Sequence, residues 1–380
     1  MHIILCEKEI YMEQNNNLVF DKQTILKIDT AAIAHNIKVI KKRTDKKIIA
    51  VIKENGYGMG LKAEYDLLKS NGLDYFAVTN TAEALALRSF GCTETVLLMT
   101  PCMSYDEALK LNEADITLVC GSIKQLNILK SVYEKTNKKP HIHIAIDTGM
   151  GRFGFFWSKI PDLSNINNYV CVDGCYTHLH GKPKHYEQDV KIQADKFKSA
   201  INAIKSQGID TGLKHISNSQ ATMLLGDLGM DAVRCGSAII GKLGMGNSKL
   251  KCATWTEAPI YQTMKLPKGS TVGYLATVKL KRDSRLGIVR TGHADGIFLS
   301  YSDIPDQFFS GIIHLISLKL RPKHHIRTFI INGKHVPIVG CAGVAHFTID
   351  LTDTDFKEGD MVRIETNPIL AHPAIPRVFI

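Results

Sequence analysis

Eight short apolar segments alternate with helix-like stretches over the first two thirds of this chain, and that alternation narrows the possible folds more than any single motif. The segments are KIIAVIK (47–53), DYFAVT (74–79), TVLLMT (95–100), ITLVC (116–120), HIHIAID (141–147), CVDGCYTH (171–178), KHIS (214–217) and DAVRCGSA (231–238). Between them lie stretches such as NTAEALALRSFG (80–91), SYDEALKLNEA (104–114) and DVKIQADKFKSAINAIKSQG (189–208). The last has apolar residues at helical spacing and stops on a glycine, a common helix terminator. Strands that alternate with helices imply parallel βα units joined by right-handed crossovers. Eight such units in about 200 residues fit a closed (β/α)8 barrel of the TIM type, an α/β fold.

The texture changes near residue 250. TVGYLATVKLKRDSRLGIVRTG, RTFIINGKHVPIVG, FTIDLT and DMVRIET are short, β-rich and separated by turns, with a turn-like NGK at 332–334. This predicts an N-terminal extension over 1–22, a barrel over 23–250 and a mostly antiparallel β domain over 251–380. A chain of 380 residues has room for one large core and one smaller one.

Composition removes several classes. No run approaches the ~18 apolar residues of a membrane span, and the opening MHIILCEKEIYMEQ breaks into charges too soon for a signal peptide. The nine cysteines form no CxxC pair and no zinc-like spacing, and several sit inside apolar runs. They read as reduced core residues of a cytoplasmic protein with no metal site. The net charge of +10 is spread over helices and loops without an aromatic or glycine-rich RNA-binding pattern. It reads as solvated surface, with no nucleic-acid partner.

Barrels of this kind place their sites at the C-terminal ends of the strands. There the chain puts Lys53 and Tyr57 after strand 1, Arg152 in the loop DTGMGRFG (147–154) after strand 5, and His178 at the end of strand 6. SNSQ (217–220) follows strand 7, and RCGS (234–237) closes strand 8 with Arg234. Each residue alone admits an ordinary structural role. A lysine at a strand end can snorkel to water, and glycine-rich loops are often only turns. Their convergence on one barrel face is another matter. Ser219, Gly236 and Ser237 offer hydroxyl and amide donors to a phosphate. A buried ammonium is costly unless its charge is lost or paired. Together these residues indicate an anionic cofactor linked through lysine. Pyridoxal 5′-phosphate fits, because its aldehyde forms a Schiff base with a lysine amine.

With those motifs in place, the chain resembles the alanine racemase family from LKIDTAAIAHNI (26–37) to IPRVF (375–379). That family joins a pyridoxal-phosphate barrel to a β domain. VIKENGYGMG is similar to its lysine motif V-K-A-N-A-Y-G-H-G, which implies Lys53 as the Schiff-base lysine and Tyr57 as a phosphate ligand. DTGMGR implies that Arg152 contacts the cofactor's phenolic oxygen and the substrate, and YTHL places His178 as a support behind the cofactor. Asn218, Ser219, Gly236 and Ser237 would bind phosphate, and Arg234 would face the pyridine nitrogen. VGYLAT resembles S-Y-G-A-T and supplies Tyr274. The resemblance thus implies an isomerase that interconverts L- and D-amino acids through proton transfer by Lys53 and Tyr274. Its substrate would be an amino acid: alanine by default, with serine, lysine or another open. It further implies a head-to-tail homodimer in which Tyr274 crosses to the partner's site.

The departures cluster on the substrate side. Ala145 stands where many relatives carry a carbamylated lysine that positions the arginine, which would leave Arg152 in need of another anchor. Gly343, Val344 and Ala345 replace a Cys-Met-Asp triplet, leaving Val344 toward the substrate, and His293 replaces an entrance tyrosine. RIETNPILAH lacks the tyrosine that usually joins Tyr57, and the lysine motif departs at Glu54 and Met59. Two other readings therefore stand beside racemisation. One is a decarboxylase or other lyase on the same fold, and the other is a cofactor-binding protein without catalysis.

Overall fold

The computed structural model of the protein describes residues 23–244, 249–273, 276, 278–297, 328–331 and 333–380. The chain forms two compact units. One comprises Ile28–Ala253 with Phe379 and Ile380, and the other comprises Thr254–Val378 with the described residues up to Lys27.

The first strand, β1 (Ile25–Ile28), is not among the segments marked in the sequence, and it pairs within the sheet of the second unit. Its Leu26 packs on Ala371 and Ile375 and donates its amide to the Pro376 carbonyl at 2.9 Å. Residues just past 250 stay with the barrel instead. Buried Asn36 donates to the carbonyls of Ile239 (2.9 Å) and Lys251 (2.8 Å) and accepts the Lys251 amide at 2.7 Å.

All eight expected barrel strands are present: β2 (Lys47–Val51), β3 (Tyr75–Val78), β4 (Thr95–Leu98), β5 (Leu118–Cys120), β6 (His141–Asp147), then β8 (Cys171–Tyr176), β9 (Leu213–His215) and β10 (Ala232–Cys235). Between them the two-residue β7 (Phe155–Phe156) pairs with β6. The order β4-β3-β2-β10-β9-β8-β6-β5 is parallel throughout. Thr117 closes the ring, donating to the Val96 carbonyl and accepting from the Leu98 amide, both at 2.9 Å. The helices begin where short polar side chains can cap them. Asn80, Ser104 and Ser122 each accept the amide three residues on, a contact worth about 1 kcal/mol apiece. The period-two alternation of each strand sends Ile49, Tyr75, Ala77, Leu97, Val119, Ala145, Tyr176 and Ala232 into the barrel. This interior is packed side chain, not a pore.

In the second unit, the 13-residue β11 (Thr254–Leu266) pairs with both β18 (Met361–Ile364) and β14 (Ser284–Val289), with a register shift between Ile260 and Gln262. Such a bulge lets one long strand serve two sheet regions. The short ribbon β12 (Thr271–Val272) and β13 (Val278–Lys279) stands apart. In the hairpin of β15 (Thr328–Ile331) and β16 (Lys334–Val339), Ile331 pairs with Lys334 across a two-residue turn. Gly333 there takes a φ of 80°, which glycine adopts freely. β17 (Phe347–Asp350) and β19 (Arg377–Phe379) complete the sheet around Phe329, Val336, Phe347 and Val362. Among the described residues no helix is long and apolar enough to cross a membrane.

Candidate active site

β2 ends at Val51, and the chain then does something few L-residues tolerate. Glu54, Asn55 and Gly56 hold φ/ψ of 54/57°, 55/51° and 62/53°, and Tyr57 follows at φ 47°. This is a turn of left-handed helix, which costs roughly 1–2 kcal/mol for each non-glycine residue. Several bonds offset the cost. The Asn55 amide donates to Glu83 Oε1 at 2.7 Å, and Asn55 Oδ1 accepts the Leu61 amide at 2.9 Å. Within the turn, Gly58 donates to the Glu54 carbonyl and Gly60 to that of Asn55, each at 2.9 Å. The result is a reversal tight enough that Lys53 and Tyr57 line the same cavity. Strain of this kind persists only where surrounding structure enforces it, and it concentrates at functional sites.

That cavity has a volume of about 480 Å³ and opens at the C-terminal ends of the strands. It gathers the barrel residues expected to hold the cofactor: Lys53, Tyr57, Arg152, His178, Asn218, Ser219, Arg234, Gly236 and Ser237. Ser219 Oγ accepts the amides of Gly236 (3.0 Å) and Ala238 (3.2 Å), so its hydroxyl proton is left to point into the cavity. Asn218 is a helix cap, taking the Ala221 amide at 3.0 Å and giving its own amide to the Leu179 carbonyl at 3.1 Å. Tyr57 is buried and bonded to the Ser237 backbone, and burial raises its hydroxyl well above the ordinary range. Gly236 lies against this ring. A Cβ there would fall 2.3 Å from the Tyr57 hydroxyl and 2.6 Å from Cε2. Gly236→Ala should therefore displace Tyr57 and weaken cofactor binding by about tenfold or more, a loss of at least one hydrogen bond to a charged group. Titration of the apoprotein with pyridoxal phosphate checks this, and an unchanged affinity would show that the Tyr57–Gly236 contact is dispensable.

Behind the cavity runs a polar line that the sequence did not reveal. Arg234 is buried, and its NH1 donates to His215 Nδ1 (2.8 Å) and to the His215 carbonyl (2.9 Å). Its NH2 donates to the carbonyls of Thr177 (2.8 Å) and Ile216 (3.2 Å). Because His215 Nδ1 accepts, its proton sits on Nε2, which donates to His143 Nδ1 at 2.8 Å. His143 Nε2 then donates to the Tyr75 hydroxyl oxygen at 2.9 Å. Burial first, and then the Arg234 charge, pushes His143 down to about 3 and His215 well below its ordinary value. Both rings are thus neutral, and each tautomer is set by its neighbour. Burial lowers Arg234 only to about 10, so it stays cationic. Tyr176 stacks flat on His215, with centroids 5.2 Å apart and planes within 3°. The one available clue was alternation, which puts His143 on the inward face of HIHIAID.

His178 lines the cavity directly. Its Nδ1 is buried without a partner among the described residues, and burial, then Arg234, Arg152 and Lys53, lowers the ring to about 3. Arg152 is exposed over the Phe153 ring at 5.7 Å, and Ala145 sits buried in the barrel interior. Val344 belongs to the second unit, where it is 66% exposed beside Gly343, Ala345 and Cys341. Tyr274 and the extension 1–22 lie outside the described residues. Sequence reasoning also passed over Thr79, Met99, Thr100, Phe153 and Gln220, which line the cavity as well.

Two family models match the chain: "Alanine racemase, N-terminal domain" over residues 28–243 and "Alanine racemase, C-terminal domain" over 253–371. An alanine racemase of Methanococcus maripaludis is 30% identical over 353 residues, covering 89% of this chain and 87% of the relative. Alanine racemase 2 of Caldanaerobacter subterraneus is 28% identical and covers 90% and 85%. Among solved structures, alanine racemase from Streptomyces lavendulae superposes with a TM-score of 0.80 at 22% identity, covering 94% of this chain and 97% of that one. A histidine racemase from Leuconostoc mesenteroides gives 0.78 at 20%, covering 96% and 100%. The solved structures share the fold, while the sequence matches run across both units. The chain belongs to the alanine racemase family, the pyridoxal-phosphate-dependent amino-acid racemases.

Proposed function

We propose that this protein racemises an amino acid, alanine by default with serine, lysine or another open, using Lys53 and Tyr274 as the two proton-transferring residues. The observation that carries the reading is the single cavity holding Lys53, Tyr57, Arg152, His178, Ser219 and Arg234. The cavity residues fit pyridoxal phosphate. Ser219 and Tyr57 supply hydroxyl donors for a phosphate, and His178, whose Nδ1 is buried without a partner among the described residues, lines the same space. Arg234 spends NH1 and NH2 on protein acceptors, which leaves its Nε–H for the ring nitrogen. When bound, the cofactor supplies an aldehyde that takes up the amino group and a ring that acidifies Cα.

Racemisation needs a proton taken from one face of Cα and another returned to the opposite face. Lys53, with no hydrogen-bond or ion-pair partner among the described residues, serves one face, and Tyr274 serves the other. Tyr274 comes from a second copy of the chain in a head-to-tail homodimer, and Arg152 and Val344 contact the substrate. Arg234 stays cationic and does not give its proton up to the ring nitrogen, so that nitrogen is left unprotonated and the ring stays a weaker electron sink. That favours reprotonation of Cα over loss of another group, and it counts against the lyase reading. The small-molecule reaction belongs in the cytoplasm.

The test is incubation of the holoenzyme with single-enantiomer amino acids in deuterated water, followed by chiral analysis. The opposite enantiomer, deuterated at Cα, is the expected product, whereas an amine or a keto acid overturns the proposal. Tyr274→Phe should lower kcat/KM by about 10²–10⁴, equally in both directions because the equilibrium between enantiomers is fixed. Deuterium uptake with retention should survive for the enantiomer whose proton faces Lys53. Undiminished inversion would show that Tyr274 is not the second base.

A further inference from the structure

Under the left-handed turn lies a pair of carboxyl groups that the proposed chemistry does not use. Glu64, in the helix Leu61–Ser70, is fully buried, and neither of its carboxyl oxygens has a hydrogen-bond partner among the described residues. Glu83, in the helix Thr81–Ser89, is 8% exposed. It spends Oε1 on the Asn55 amide at 2.7 Å and leaves Oε2 buried and unpartnered. Three orphaned carboxyl oxygens at one place are costly, since an unsatisfied buried polar group loses its hydration for nothing. They sit at the one stretch of backbone that sets where Lys53 and Tyr57 point.

Gly56 explains how Glu64 is accommodated. A Cβ at Gly56 would lie 2.8 Å from Glu64 Oε2 and 3.1 Å from Glu64 Cβ. The absence of a side chain at 56 leaves the space that the glutamate fills. We propose that Glu64 and Glu83 form a carboxyl platform that positions the Lys53–Tyr57 turn for the cofactor, Glu83 by accepting the Asn55 amide and Glu64 by packing under Gly56. The proposal rests on the reading of Lys53 and Tyr57 as cofactor residues.

The electrostatics agree with the geometry. Burial, and then the Glu83 charge, raises the Glu64 carboxyl well above its ordinary 4.5. Glu83 and Tyr57 are the titratable groups that face it. A raised acid contributes its stabilisation fully below its ordinary value, and the contribution is lost as pH rises toward the folded-state value. Ionisation of Glu64 would place a second negative charge beside Glu83, directly under the turn. The platform should therefore loosen the turn as pH rises through the raised folded-state value of Glu64, while the rest of the barrel holds.

The decisive measurement is the affinity of the apoprotein for pyridoxal phosphate as a function of pH, read by the absorbance of lysine-bound cofactor. Glu64→Gln cannot ionise, so its affinity should match the native protein at the acid end of the profile and fall less steeply as pH rises. Glu83→Gln loses the charge-assisted bond to Asn55 and should weaken cofactor binding by about tenfold. Gly56→Ala should weaken it comparably, and Glu64→Ala in the same chain should restore most of the loss. The φ of +62° at this position burdens the introduced alanine equally in both backgrounds, so the difference isolates the contact with Glu64. A pH profile of Glu64→Gln identical to the native one, or a Gly56→Ala loss that Glu64→Ala leaves untouched, overturns the platform. Failure of the native protein to show lysine-bound cofactor at all would instead overturn the functional reading. Urea unfolding of each apoprotein separates a positioning effect from a general loss of stability.

Discussion

Lys53→Ala is expected to lower racemisation by about 10⁴-fold or more, because it removes both the cofactor's covalent anchor and one of the two proton carriers. The protein should still fold. Lys53 is half-buried at the strand end and has no ion pair or hydrogen bond among the described residues, so truncation breaks no network. Its effect on stability should stay within about 0.5 kcal/mol, as for other substitutions that break no buried contact. Cofactor should still bind without a covalent link, held by the donors of Ser219, Tyr57 and Ser237 and by Arg234. The characteristic absorbance of lysine-bound cofactor should vanish while stoichiometric, dialysable cofactor remains. Racemase activity within tenfold of native would refute the role given to Lys53.

Arg234→Ala should produce the largest loss of stability of any single change at the site. The guanidinium satisfies His215 Nδ1 and the carbonyls of His215, Thr177 and Ile216, all deep in the barrel. Truncation leaves those acceptors without donors, at a cost of about 3–5 kcal/mol by analogy with other broken buried charge networks. It should also change how stability responds to acid. His143 and His215 are held neutral in the folded protein, below their ordinary 6.5. Their contribution is complete above that value and is lost as pH falls below it. Without the Arg234 charge both rings should move back upward, so the variant should lose less additional stability between neutral and mildly acid pH than the native protein loses. Arg234→Lys keeps a charge but not the planar fork, and it should recover only part of the stability. Urea unfolding at several pH values measures both effects. A variant as stable as the native protein would show that the line from Arg234 to Tyr75 carries no structural weight.

Different parts of this protein were legible in the sequence for different physical reasons. The eight strands of the barrel announced themselves because their signals are local: apolar runs bounded by turns, and helices opened by Asn80, Ser104 and Ser122. Most of the site followed from the same register, since a residue at a strand end has its position fixed by the fold. The strand β1 went the other way. Its four residues carry no mark of which sheet they join, and only the contact of Leu26 with Ala371 and Ile375 decided it. His178 was placed correctly at its strand end, but its nearness to the cavity depended on how the Arg152 loop folds over it.

By itself the sequence determined the βα period, the C-terminal change to antiparallel strands, and the set of side chains that converge on one cavity. Those are consequences of chain periodicity and strand direction, which need no knowledge of distant partners. The tertiary structure alone decided what holds the convergent residues in place. Arg234 meets His215 across 19 residues, His215 meets His143 across 72, and His143 meets Tyr75 across 68. Glu83 reaches Asn55 across 28, and Glu64 comes under Gly56 only because the backbone turns left-handed. Barrel closure brings such residues together, and local propensity contains no information about that closure. Even the glycine at 56 acquires its meaning from a carboxyl group one helix away.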